Sequence, residues 1–258
     1  MKNYIATEAA IPLRAAPKES AEMVSQIVFG ERVIATQEEG NWLYVKNEDD
    51  GYEGWLTAYM LSPISAEQGE AEMAKRFVTQ QGFFLEEDNG GKLYLPVGAS
   101  IPTGELWTKQ GLLEIDGRSW ALPDMTSLAS GPNKDVIRTI QTFMNVPYLW
   151  GGRSSLGIDC SGLTQMAFRM CDVFLPRDSG QQWKEGTSIS WENRQEGDLA
   201  FFSKENATKI SHVGMIMGGE QIIHASGRVR IDDLSEAGIV QRTSKKLTHH
   251  LVGIKRYL

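Results

Sequence analysis

The chain has 258 residues, of which 41% are hydrophobic and 23% charged, so it is long enough for two or three small globular domains. Its net charge of −7 argues against the basic surface that nucleic acids and anionic membranes attract, and we expect neither as a partner. No segment reaches the ~20 apolar residues of a membrane helix, and the N-terminus has no apolar run of signal-peptide length. We therefore expect the chain as given to be cytoplasmic, and periplasmic or secreted if a leader has been removed.

Short strands and tight turns are predicted for the first 62 residues. "MVSQIVFGERVIATQ" has a glycine turn between two β-branched runs, and "NWLYVKNEDDGYEGWLTAYML" reads as a hairpin around Asp50-Gly51. Apolar residues recur with a period of two rather than 3.6. This pattern predicts a small antiparallel barrel over 1–62.

A second small barrel is predicted over 63–125, after a connecting helix. Helix formers are common in 66–80, and strands with glycine turns return in 82–122. The two barrels would form an internal repeat with a weak sequence signal. The apolar residues at helical spacing in the connecting segment are Met73, Phe77 and Val78.

The segment 124–133 is the predicted linker, because Ser, Gly and Pro cluster there. A helix is predicted to start at an Asn133 cap and to end at Pro147. Its predicted buried residues are Val136, Ile137, Ile140 and Phe143.

Both cysteines of the chain, Cys160 and Cys171, lie in "DCSGLTQMAFRMCDVF". We predict an amphipathic helix whose first residue is Cys160. The free N–H groups and dipole of a helix N-terminus favour a thiolate and could hold an oxyanion. Small polar and glycine neighbours argue against a core role for Cys160 and favour a nucleophile, whereas Cys171 is predicted to be buried. The apolar stripe consists of Leu163, Met166, Ala167 and Met170.

A nucleophilic cysteine needs a base, and two histidines lie on predicted neighbouring strands. His212 and His224 flank Gly218-Gly219. A connection with an odd number of residues puts both side chains on one face of the hairpin, and a three-residue turn at 217–219 would pair them directly. Such a pair supplies a base and the group that orients it.

These residues are also compatible with other interpretations. A zinc site of Cys160, His212 and His224 is the alternative to a nucleophile, but their spacing does not resemble a metal motif, so we expect no metal and no cofactor. A solvated turn accounts for His249 and His250, and we assign them no role.

The blocks "PYLWGG", "DCSGLTQMAF", "LPRDSGQQ", "GDLAFF", "SHVGMIM" and "IIHAS", in this order within 133–258, resemble the NlpC/P60 family of bacterial cell-wall cysteine peptidases. "AIPLRAAPKESAEMVSQIVFGERV" and "DGYEGWL" resemble the bacterial SH3-like domains that commonly precede that catalytic domain. The resemblance implies an α+β fold. A papain-like NlpC-type domain over 126–258, with its cysteine-bearing helix packed on an antiparallel sheet, would follow SH3-like β-barrels over 1–62 and 63–125.

The resemblance also implies roles for individual residues. Cys160 would be the nucleophile, His212 the general base and His224 the third, orienting residue. A hydroxyl near the catalytic centre is implied at one position, and contacts to the substrate's dipeptide at three others. These positions are Tyr148 for the hydroxyl, and Asp159, Ser161 and Ser179 for the dipeptide.

The domain arrangement resembles the subgroup of γ-D-glutamyl-L-diamino acid endopeptidases, also called dipeptidyl-peptidase VI. In this subgroup the first SH3-like domain closes one end of the cleft and contacts the free amino group of the leading L-Ala. The resemblance implies Tyr52 and Glu22 for that contact, since a phenol and a carboxylate bind an ammonium group well. Glu22 fits a solvated surface charge equally well, and Trp55 fits simple barrel packing.

The implied activity is hydrolysis of the γ-D-Glu–L-diamino acid bond, the diamino acid being Lys or meso-diaminopimelate. The substrate would be a murein peptide with a free N-terminal L-Ala, and the product L-Ala-D-Glu, in cell-wall peptide recycling or turnover. We expect a monomer. Two alternatives stay open: a murein amidase or acyltransferase with the same Cys-His-His site, and an inactive wall-binding module, against which the intact Cys160, His212 and His224 argue.

Overall fold

A computed structural model describes residues 2–65, 67–68, 76–103, 107–109, 111–123, 135–205, 207 and 209–258. The chain divides into two compact units, Met1–Asn133 and Lys134–Leu258. The predicted linker 124–133, with the predicted Asn133 cap, lies outside the described residues. No helix in the described ranges has the length and apolar character needed to span a bilayer.

Seven strands form the first sheet of the N-terminal unit: β1 (Lys2–Ala6), β2 (Ala10–Arg14), β3 (Met23–Val28), β4 (Arg32–Glu39), β5 (Trp42–Asn47), β6 (Glu53–Thr57) and β7 (Leu61–Pro63), with a 3₁₀ turn at Ala58–Met60. Their order is β3-β2-β6-β5-β4-β1-β7, and every pairing is antiparallel. Alternate side chains point inward, as Ile11 and Leu13 do on β2. The predicted hairpin is confirmed, because β5 pairs with β6 across a turn in which Gly51 has φ 69°.

The second part of the N-terminal unit contains β8 (Arg76–Val78), β9 (Phe83–Glu87), β10 (Lys92–Leu95), β11 (Ser100–Pro102), β12 (Thr108–Lys109), β13 (Leu112–Ile115) and β14 (Arg118–Ala121). Five of them form a sheet in the order β10-β9-β14-β13-β12, and β8 pairs with β11. Its core includes Trp120 and Leu113 and also takes in Ile5 of β1 and Phe29 of the turn between β3 and β4. The two sheets of this unit therefore share apolar packing.

The helix predicted over 66–80 is wrong at its C-terminal end. Arg76–Val78 is the strand β8, whose backbone pairs with Ser100–Pro102. An apolar run this short fits either a helix or a strand, and the long-range pairing decides between them. Of the remainder, 66 and 69–75, with Met73, lie outside the described residues.

One antiparallel sheet organises the C-terminal unit. After the short pair β15 (Arg153–Ser154) and β16 (Gly157–Ile158), its strands are β17 (Thr187–Ile189), β18 (Leu199–Ser203), β19 (His212–Ile216), β20 (Gln221–Ser226), β21 (Arg228–Ser235), β22 (Gly238–Val240) and β23 (Leu247–Arg256), with a 3₁₀ turn at Trp191–Asn193. They follow the order β17-β23-β18-β19-β20-β21-β22, and β22 also pairs with β23. This extra pairing closes six strands into a barrel.

Three helices accompany this sheet: α1 (Val136–Gln141), α2 (Cys160–Arg169) and α3 (Ser179–Gln182). The cap of α1 is Asp135, whose side chain accepts a hydrogen bond from the N–H of Arg138. The helix ends at Gln141, before the predicted end at Pro147, and Ile137 is only half-buried. Helix α2 packs against α1, β19 and β20.

Helix α2 begins at Cys160 and has the predicted apolar stripe, but its polar face is buried as well. All ten of its residues are buried, because the sheet, the other helices and the preceding loop surround it. Its polar side chains find partners inside the protein: Thr164 donates to Gln182 at 2.9 Å, and Gln165 accepts from Arg153 at 2.6 Å. The polar residues of α2, which the sequence pattern places on a solvent-facing side, are therefore buried and form internal hydrogen bonds.

Cys171 also differs from its prediction. It lies beyond the end of α2 and is half-buried rather than buried. Its sulfur lies 3.8 Å from the hydroxyl of Thr139.

A buried ion pair fixes the start of α2. Asp159 is the N-cap and accepts the N–H of Gly162 at 2.7 Å and the N–H of Gly151 at 2.9 Å. Arg177 donates to both carboxylate oxygen atoms, at 3.0 and 2.6 Å, and to the hydroxyl of Ser161 at 3.1 Å. This bidentate pair joins the loop before α2, its first turn and the segment before α3.

We expect Arg177→Met to destabilise the C-terminal unit by about 3–5 kcal/mol, because it leaves the Asp159 carboxylate buried without its cation. The measurement is the free energy of unfolding in urea. The matched control is Lys245→Met, which removes an exposed 3.4 Å ion pair with Asp233 and should cost at most about 1 kcal/mol. Equal losses for the two variants would contradict this account.

Candidate active site

Cys160 lies where α2 meets the central strand β19. The side chain is only 8% exposed. Backbone groups of Val213 and Ser161 hydrogen-bond to the thiol and favour its charged form. Since Val213 directly follows His212, the sulfur lies against the strand that carries this histidine.

The ionisation of Cys160 differs from the sequence expectation. The helix N-terminus was expected to favour the thiolate, but burial and the neighbouring Asp159 carboxylate raise the pKa of the Cys160 thiol to about 12. The backbone contacts and Arg177 lower the pKa by less than burial raises it. The Cys160 thiol is therefore neutral at neutral pH.

His212 and His224 form a buried, directly bonded pair. Nε2 of His212 lies 2.9 Å from Nδ1 of His224, and the two rings are nearly perpendicular. Burial lowers the pKa of both imidazoles. His212 thus stays neutral, which is the state a base needs.

The hairpin register explains how the two rings meet. The N–H of Met217 donates to the carbonyl of Gln221, so the turn consists of the three residues 218–220 rather than the predicted 217–219. This odd number keeps both histidines on one face, but β19 and β20 pair as Met215↔Ile223, so His224 does not lie opposite His212. That register puts Gly214 opposite His224, and a Cβ at Gly214 would lie 2.9 Å from the Cβ of His224. The side chains therefore meet diagonally over a glycine.

Asp232, on the next strand, extends the pair to three residues and was missed by the sequence reasoning. Its Oδ2 lies 3.0 Å from Nε2 of His224, and it also accepts Nε–H of Arg230 at 2.8 Å. These contacts, more than offsetting burial, lower the pKa of the Asp232 carboxyl. A signal was present in "HASGRVRID": a turn at Gly227 followed by period-two alternation puts Arg230 and Asp232 on the face of His224.

The predicted solvated turn for His249 and His250 is wrong, because both lie on β23. The His249 ring stacks on His212, with centroids 4.1 Å apart and planes at 26°. The hydroxyl of Thr248 lies 2.9 Å from Nδ1 of His249. Burial lowers the pKa of His249 to about 4, so a neutral ring covers one face of His212.

Tyr148 lies close enough to Cys160 for their charges to interact. Burial, Cys160 and Asp159 together raise the pKa of its phenol to about 12, so it is a neutral hydrogen-bond donor. The turn between β20 and β21 holds its backbone in place, since the N–H of Tyr148 donates to the carbonyl of Gly227 at 2.9 Å.

The other predicted substrate contacts have varied surroundings. The Asp159 carboxylate and the Ser161 hydroxyl are engaged by the Arg177 pair, and both residues are buried beside Cys160. Ser179 is the half-buried first residue of α3. Their roles toward a substrate stay predictions.

Tyr52 and Glu22 belong to the N-terminal unit. Tyr52 is partly buried against the core of the first sheet, and its N–H donates to Asp50 at 2.9 Å. Glu22 is exposed immediately before β3. Trp55 packs edge-to-face with Tyr44 at 5.3 Å, in line with a role in the barrel. Among the described residues, no group of three or more His, Cys, Asp or Glu is placed to hold a metal ion.

Comparison with known proteins adds independent information. Residues 145–248 match the NlpC/P60 family, and residues 13–60 match the bacterial dipeptidyl-peptidase SH3 domain. The chain is similar to the γ-D-glutamyl-L-lysine dipeptidyl-peptidase of Bacillus subtilis (strain 168), with 31% identity over 227 residues, which cover 78% of this chain and 71% of that protein. A protein of the same name from Bacillus cereus (strain ATCC 10987 / NRS 248) is 25% identical over 260 residues, covering 92% and 76%.

A crystal structure of an NlpC/P60 family protein from Bacillus cereus ATCC 10987 has the same fold. It aligns over 99% of both chains with a TM-score of 0.81, at 21% identity. The predicted fold class and family are thereby confirmed. This chain belongs to the NlpC/P60 family of peptidases, with a bacterial dipeptidyl-peptidase SH3 domain in its N-terminal unit.

Proposed function

We propose that this chain is a cysteine endopeptidase that hydrolyses the γ-D-Glu–L-diamino acid bond of murein peptides beginning with a free L-Ala, and that releases L-Ala-D-Glu. The observation that carries this proposal is the Cys160 thiol at the start of α2, against the strand on which His212 bonds to His224. The name of the B. subtilis relative supports the choice of bond. The diamino acid is Lys or meso-diaminopimelate.

Acylation begins from the neutral thiol and the neutral imidazole. His212 takes the proton of Cys160 as the sulfur attacks the γ-carbonyl carbon of D-Glu, which forms a tetrahedral oxyanion. The N–H groups of Gly162 and Leu163 already donate to Asp159, so the N–H of Cys160 itself is our candidate oxyanion donor. The protonated His212 then gives its proton to the leaving amine, and a thioester remains.

Deacylation uses the same groups in reverse. His212 accepts a proton from water as the water oxygen attacks the thioester carbonyl. Collapse of this intermediate releases the D-Glu γ-carboxyl group and returns the proton to the Cys160 sulfur. The phenol of Tyr148, neutral at working pH, donates a hydrogen bond to the substrate beside the sulfur.

The requirement for a free amino group comes from the N-terminal unit. Tyr52 and Glu22 both fall within the matched SH3 domain, and we assign them the ammonium group of the leading L-Ala. Murein peptides already freed from sugar carry such an ammonium group. We propose that the chain acts as a monomeric, cytoplasmic enzyme in the recycling of such murein peptides.

We expect Cys160→Ala to lower the rate on L-Ala-γ-D-Glu-L-Lys by at least about 10⁴-fold, because the substrate carbon loses its nucleophile. Mass spectrometry of released L-Ala-D-Glu measures this rate. Cys171→Ala removes the other cysteine and should keep full activity. Retained activity in Cys160→Ala, or no L-Ala-D-Glu from the wild type, would overturn the proposed reaction.

The free-amine requirement predicts that N-acetylation of the same tripeptide lowers kcat/KM by roughly 10- to 100-fold, the value of a charge-assisted hydrogen bond. The double substitution Tyr52→Phe, Glu22→Gln should reduce the difference in kcat/KM between the free and the N-acetylated tripeptide, mainly by raising the KM for the free peptide. Glu19→Gln, at an exposed acidic residue of the same barrel, is the control. Equal cleavage of both peptides by the wild type would refute this requirement.

The pH profile follows from the buried base. The proton-accepting form of His212 is lost when the pH falls through its pKa, which burial, His224, His249 and Arg230 hold well below 6.5. We therefore expect the acid limb of kcat/KM to lie well below pH 6.5. Stopped assays over a pH series measure it, and an acid limb at or above 6.5 would show that a different group limits the reaction.

A further inference from the structure

The two histidines and Asp232 form one buried line of hydrogen bonds. Nε2 of His212 meets Nδ1 of His224 at 2.9 Å, and Nε2 of His224 meets Oδ2 of Asp232 at 3.0 Å. His224 is 0% exposed, His212 is 6% and Asp232 is 2%, so water does not compete for these contacts.

The negative charge of Asp232, at the end of this line, is stabilised by hydrogen-bond donors. The carboxylate receives Nε–H of Arg230 at 2.8 Å on Oδ2 and the backbone N–H of Arg242 at 3.1 Å on Oδ1. Arg230 also donates to the carbonyl oxygen of Ser226. Two donors besides the His224 contact therefore converge on Asp232 and hold it as an anion, which can only accept hydrogen bonds.

An acceptor at one end sets the direction of every bond in the line. His224 must carry its proton on Nε2 to donate to Asp232. Because a neutral imidazole has one N–H, Nδ1 of His224 is then bare and accepts from Nε2–H of His212. That choice leaves Nδ1 of His212 as the bare nitrogen, the one free to take a proton from a thiol.

We propose that Asp232 is a positioning residue that sets the tautomer of the catalytic base His212 through the ring of His224. Without the anion, the opposite direction, with Nδ1–H of His224 donating to His212, becomes comparable in energy. His212 would then carry its proton on Nδ1 and could not accept one from Cys160. Asp232 also stabilises the imidazolium that forms when Cys160 loses its proton, as an acceptor-only partner two rings away.

The other charged and titratable groups around the pair do not replace this function. Arg230 is a cation and can only donate, so it holds Asp232 rather than either ring. His249 covers one face of His212 and contacts His224 edge-on, with centroids 5.8 Å apart. Cys160 is the proton donor itself.

The test that needs no substitution is the tautomer state of the wild-type protein. The chain has four histidines, so ¹⁵N-labelled protein gives four pairs of ring signals in long-range ¹H–¹⁵N spectra, which single His→Gln variants assign. We expect both His212 and His224 to be neutral with the proton on Nε2. A proton on Nδ1 of His212 overturns the proposal, whatever the substrate of the enzyme proves to be.

The test by substitution is Asp232→Asn. The amide that replaces the carboxylate has two orientations. In one its NH₂ group faces Arg230, and in the other it faces the N–H of Arg242. In neither orientation can it accept every hydrogen bond that the carboxylate accepts. We expect a fall in kcat on the order of 10²- to 10⁴-fold with KM nearly unchanged, and a mixture of tautomers at His212. The acid limb of kcat/KM should move to lower pH, because the anion that favours the imidazolium is gone.

The matched control is Asp233→Asn. Asp233 is the next residue and pairs only with exposed groups, namely Arg242 at 2.7 Å and Lys245 at 3.4 Å, among the ion pairs of the described residues. We expect wild-type kcat and wild-type tautomers. Wild-type kcat and tautomers in Asp232→Asn, or an equal loss in the control, would refute the role. This inference rests on the proposed reaction, but the spectra separate the two: wild-type tautomers as predicted without peptidase activity would refute the reaction alone.

Discussion

The carboxylate of Asp159 is the contact on which the C-terminal unit is built. It accepts backbone N–H groups from the loop before α2 and from the first turn of α2, and Arg177 binds both its oxygen atoms. Cys160 is the next residue, so the position of its sulfur depends on this cap. The same negative charge lies beside the thiol and opposes its ionisation. The group that places the nucleophile thus also keeps it protonated.

Burial gives the site a consistent electrostatic state. Removing water raises the pKa of Cys160 and lowers the pKa of His212, so both partners are neutral before substrate arrives. A neutral base and a neutral acid need only one proton transfer to become an ion pair. The fixed anion at Asp232 and the backbone contacts at the sulfur are the groups that stabilise the two charges once they form.

Much of the architecture could be predicted from local patterns. Period-two alternation located the hairpin of β5 and β6, and helical spacing located α2 with Cys160 as its first residue. The errors arose where residues distant in the sequence determine the secondary structure or the burial of a segment. Arg76–Val78 is a strand because Ser100–Pro102 pairs with it, and the polar residues of α2 are buried because Gln182 and Arg153 reach them.

The candidate active site shows the same difference between features set by local sequence and features set by distant contacts. Two histidines of the hairpin were recognisable from their spacing, but the stack of His249 on His212 depends on β23, which lies beyond a further hairpin in the chain. Such a contact has no short-range signal. The position of Asp232 could be predicted in part, since only a turn and an alternating strand separate it from His224. Its role could not be predicted before its hydrogen bond to the His224 ring was known.

The neutral, buried thiol of Cys160 also bears on the chemical durability of the protein. Peroxides and simple alkylating reagents react with thiolates that they can reach, and the resting site offers them neither charge nor access. The nucleophile is exposed to oxidation only during the short life of the ion pair with His212, when substrate occupies the site.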